Sequence, residues 1–95
     1  KAELVRERNK LTSPFKKKVE KLEAKIMELE EKLEVHHEEL IEVSNSGDSA
    51  RLMELSKTVS QEESEVEELF EELEVVQSEL DDITLEYDEK IEELS

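Results

Sequence analysis

Three groups of side chains in this sequence are capable of chemistry. His36-His37-Glu38-Glu39 has the composition of a metal cluster. A helical metal pair needs ligands three or four residues apart on one face, whereas adjacent histidines diverge by about 100°. The HExxH spacing is absent, so a structural or surface role is expected for both histidines and no metal ligand is assigned. The run Glu62–Glu74 (EESEVEELFEELE) offers carboxylates for general acid–base work or calcium. It lacks a glycine-turned loop of oxygen ligands, and most of its acids fall on what reads as a solvated helix face. No catalytic residue and no bound cofactor is expected in this chain.

The third group is basic. Arg6, Arg8 and Lys10 are followed by Lys16, Lys17 and Lys18, with Lys21 and Lys25 beyond. Residues 1–25 hold nine Lys/Arg and four Glu, a net of +5, while residues 26–95 hold four Lys/Arg and 25 Asp/Glu, a net of −21. A basic stripe can neutralise phosphates. No basic and aromatic residues alternate along it, so no base-stacking platform is expected. The alternative is internal balance, because Lys16, Lys17 and Lys18 fall level with Glu79 and Asp81. Arg6, Arg8, Lys10, Lys16, Lys17 and Lys18 are the candidate contacts with RNA or DNA.

The elements that position these groups follow from the apolar pattern. At 44% charged and 3% aromatic residues, the 95-residue chain cannot build a thick globular core. Its net charge of −16 would fit disorder, but the periodicity argues against it. Phe15, Val19, Leu22, Ile26, Leu29, Leu33, His36, Leu40 and Val43 recur at steps of four and three. So do Leu52, Leu55, Val59, Glu62, Val66, Leu69, Leu73, Val76, Leu80, Ile83 and Tyr87. A mean step of 3.5 keeps one stripe facing a partner helix. Lys90 interrupts the second stripe, where Ile91 can take over, and Leu94 closes it. If the stripes pack antiparallel, facing residue numbers add to 95 throughout: Val43 meets Leu52, Ile26 meets Leu69 and Phe15 meets Leu80. The fold point then lies between Gly47 and Asp48, inside SNSGDSA.

The expected fold is therefore all-α, an antiparallel two-helix coiled-coil hairpin with a short N-terminal helical segment. Gly47 suits the left-handed residue that ends a helix, and Asp48 or Ser49 can cap the next one. Ser13-Pro14 reads as N-cap and first helical residue. Residues 1–13 are accordingly expected as a basic linker or short helix and 14–95 as the hairpin. Its helices are expected at about 14–44 and 49–94, around a tip at about 45–48. Leu4, Val5 and Leu11 would lie near Tyr87, Ile91 and Leu94, with Thr12 facing Ile83 and Arg8 facing Tyr87. His36 and Glu62 are polar residues in adjacent seam layers. They either bond to each other and fix register, or turn outward to water.

The stretches RERNKLTSPFKKKVEKLEAKIMELEEKL, SNSGDSARLMELS and VEELFEELE resemble the C-terminal coiled-coil domain of the ABC-F family of soluble ABC ATPases, in its Uup-like branch. The likeness covers roughly residues 6–80, and its strongest pattern is carried by Leu11, Pro14, Phe15, Lys16, Lys17, Val19, Glu20, Leu22 and Glu23. The resemblance implies a cytoplasmic parent with two ATP-binding cassettes acting on ribosomes. ATP and magnesium would belong to those cassettes, since none of the ATPase motifs occurs here. It also implies an accessory role in contacting nucleic acid or ribosomal protein. The family's nucleic-acid-binding hairpins are more basic than a body at −21, so contact is expected through residues 1–25 alone. A start at Lys1 without methionine fits a piece of a larger protein. The lack of cysteine leaves only a lean to the cytosol, and no apolar run is long enough to span a membrane. A monomeric hairpin is expected; a purely structural spacer or dimerisation element is the alternative.

Overall fold

A computed structural model describes residues 1–94. The chain is two long helices packed against each other, α1 (Ala2–Ser46) and α2 (Ser49–Glu93). Gly47 and Asp48 alone join them. Gly47 adopts φ +76°, and its N–H donates to the Val43 carbonyl at 3.2 Å, the bond of a left-handed helix end. Asp48, rather than Ser49, caps α2: its Oδ1 accepts from the Arg51 N–H at 3.1 Å, and its carbonyl accepts from the Leu52 N–H at 3.0 Å.

The chain divides into two compact units. The tip unit, Ala24–Phe70, buries Ile26, Leu55 and Val59. The terminal unit, Lys1–Glu23 with Glu71–Ser95, buries Thr12, Leu22, Val76 and Leu80. All the apolar seam positions expected from Phe15 to Val43 and from Leu52 to Tyr87 are buried or half-buried. Polar pairs joining the helices are Arg8–Asp88, Glu7–Tyr87, His36–Glu62, His37–Glu63 and Glu39–Arg51. Their residue numbers add to between 90 and 100, straddling the expected register.

The N-terminal segment differs from expectation. Pro14 does not open a helix; it lies inside α1, which runs without interruption from Ala2. Proline supplies no N–H to the carbonyl four residues back, that of Lys10, and an interior proline costs about 3 kcal/mol. Pro14 and Lys10 are both exposed, so water can satisfy the orphaned carbonyl. Upstream of Pro14 the seam continues through Thr12, Arg8 and Val5 in unbroken heptad phase. That phase decides which side chains turn inward. Thr12 is 2% exposed and Leu11 47%, so Leu11 does not lie against α2 as expected, and Leu94, at 60%, is not covered by the N-terminal segment. Ile91 is half-buried and Lys90 exposed, as the seam pattern requires.

Candidate nucleic-acid interface

The six basic residues singled out by sequence do not form one cluster. All belong to the part of α1 inside the terminal unit. Arg8 falls on the seam phase and is half-buried. Its Nη1 donates to Asp88 Oδ1 at 2.8 Å, one residue beyond the Tyr87 expected opposite it. A bidentate-capable guanidinium spent on its neighbouring helix is withdrawn from any phosphate. Tyr87 instead donates its hydroxyl to Glu7 Oε2 at 3.4 Å, while Lys90 Nζ stands 4.8 Å from its ring centre.

The others divide by direction around the helix. At 3.6 residues per turn, Arg6, Lys10 and Lys17 fall within an arc of about 40°, and Lys21 extends it to about 60°. This arc lies opposite the seam side defined by Thr12, Phe15, Val19 and Leu22. Lys16 and Lys18 flank that seam, one on either side. Arg6, Lys10, Lys16, Lys17, Lys18 and Lys21 are exposed, and none makes an ion pair among the described residues. Internal balance by α2 acids therefore accounts for Arg8 alone. The outward arc spans about 22 Å of helix, at 1.5 Å per residue. It presents four cations that no α2 carboxylate reaches.

The histidines are engaged with carboxylates of the tip unit. His36 Nδ1 lies 2.5 Å from Glu62 Oε1, with side-chain exposures of 26% and 12%. An ionised carboxylate can only accept, so Nδ1–H donates and Nε2 is left free. The bonded reading of this seam pair is the observed one. His37 Nε2 lies 3.4 Å from Glu63 Oε1 at the exposed flank. Among the described residues no group of three or more His, Cys, Asp or Glu side chains is placed to hold a metal. Ser60, Gln61, Ser64, Glu65 and Glu68 line a shallow groove on α2.

Among the described residues no helix is long and apolar enough to cross a membrane. Comparison with known proteins finds no matching family model, no matching curated protein and no matching solved structure.

Proposed function

We propose that this chain is a non-catalytic accessory arm that contacts nucleic-acid phosphates through the outward face of Arg6, Lys10, Lys17 and Lys21. The observation that carries this reading is their common direction, exposed and unpaired, on a helix whose inward arginine is already neutralised by Asp88. Contact would be electrostatic and indifferent to sequence, since no aromatic residue shares that arc to stack on a base. The likeness of residues 6–80 to ABC-F hairpins supports a parent ATPase working on ribosomes in the cytoplasm, where RNA phosphates are the abundant target. Two Walker motifs upstream of Lys1 in the parent chain would test that parentage.

The rest of the chain opposes binding. A body at −21 repels the polyanion that the +5 segment attracts, so the isolated monomer should bind weakly. Gel-shift titration with RNA and with duplex DNA tests this. The expected dissociation constant at low salt is about 10⁻⁴–10⁻⁶ M, the range that non-specific contacts without an opposing acidic body reach at physiological salt, with binding lost at moderate salt as counterions are released. Absence of binding at low salt would leave a structural spacer as the better reading. Sub-micromolar affinity at moderate salt would show a built site that the outward arc does not explain.

A further inference from the structure

Within the tip unit, the polar groups of the seam are divided between the helices so that neither helix can satisfy its own. From Ile26 to Val43 the seam of α1 contains one polar residue, His36, and no carboxylate. From Leu52 to Leu69 the seam of α2 contains one charged residue, Glu62, and no cation. The remaining seam residues of this unit are leucine, valine and isoleucine, which would accept almost any coiled-coil partner. Only α1 against α2 brings the two polar halves together, and there they bond at 2.5 Å with Glu62 only 12% exposed.

We propose that the His36–Glu62 pair is an orientation lock, which rejects pairing between like helices of two chains and so keeps the molecule a monomeric hairpin. Parallel in-register association of two α2 helices would set Glu62 against Glu62 in a desolvated layer. Association of two α1 helices would set His36 against His36 with no acceptor on the seam. On the flanks, opposite charges likewise meet across α1 and α2: His37 meets Glu63 at 3.4 Å and Arg51 meets Glu39 at 3.4 Å. The two-residue turn at Gly47 then makes the permitted α1–α2 pairing intramolecular. Polar seam residues that cost stability but choose among partners are an established device in coiled coils.

The test is oligomeric state by light scattering over a wide concentration range, using two double variants. His36→Leu/Glu62→Leu makes both seams wholly apolar and cannot fail through lost burial. It should self-associate at concentrations at least tenfold below any at which the parent chain does. His36→Glu/Glu62→His exchanges the halves, keeps the pair in the hairpin and should remain a monomer of 11.1 kDa. A leucine variant that stays monomeric wherever the parent does would overturn the proposal, and so would an exchanged variant that associates as readily as the leucine one.

Discussion

In the tip unit, charged side chains pair across the two helices; in the terminal unit, most cations turn outward. Around Ile26, Leu55 and Val59 the cross-helix contacts are His36–Glu62, His37–Glu63 and Glu39–Arg51, and they engage both histidines. In the terminal unit, which buries Leu22, Val76 and Leu80, the charged residue on the seam of α1 is Arg8, paired with Asp88. The remaining cations of that unit are exposed, and four of them share the face away from α2. The same heptad grammar thus serves two ends. Polar residues on the seam select a partner helix, whereas polar residues opposite it are free for a partner molecule.

The terminal unit also carries a local cost that the tip unit avoids, and this gives the largest effect expected of a single change. Pro14→Ala restores an N–H to the Lys10 carbonyl in the middle of α1. Stability should rise by about 2–3 kcal/mol, the interior-proline cost less what proline saves in the unfolded chain. Urea denaturation measures it. No gain would mean that the backbone near Pro14 is already accommodated, and the contrast in local cost between the units would vanish.

Smaller effects are expected at the turn. Gly47→Ala meets no atom within 4 Å, so its cost is conformational, about 1–2 kcal/mol for a side chain at φ +76°. Asp48→Ala removes the acceptor for the Arg51 N–H and should cost about 1 kcal/mol. The same denaturation experiment resolves both. A neutral Asp48 variant would show that Ser49 can take over the cap, and the tip would then tolerate more than its hydrogen bonds suggest.

The seam was legible because a period of 3.5 is a global property of some 70 residues, which no single substitution disguises. The turn was legible because Gly47 is the only glycine, though sequence could not choose between Asp48 and Ser49 as cap. Pro14 was misread for a physical reason. A rule about local backbone chemistry pointed to a helix start, while packing of Thr12, Arg8 and Val5 along α2 held the helix through it. With α1 continuous through Pro14, Thr12 turns inward as the register requires and Leu11 does not, because heptad phase outranks hydrophobicity at a single position. The basic segment was visible as a charge count. A count has no direction, so the withdrawal of Arg8 and the grouping of Arg6, Lys10, Lys17 and Lys21 required the helix to be built. The His36–Glu62 bond was one of two open readings, since only the distance distinguishes a bonded pair from two side chains turned to water.

The measurement that bears most directly on the outward face is the salt dependence of duplex binding for two charge-matched sets of variants. Lys10→Gln and Lys17→Gln together remove two cations from the arc; Lys16→Gln and Lys18→Gln together remove two from the flanks of the seam. Both sets alter net charge equally, so a diffuse electrostatic attraction would weaken equally in each. If the arc is the phosphate-contacting surface, the first pair should lower the slope of log K against log salt by about 2 and the second by well under 1. Equal slopes for the two pairs would contradict the account, leaving the basic segment a cloud of charge with no face.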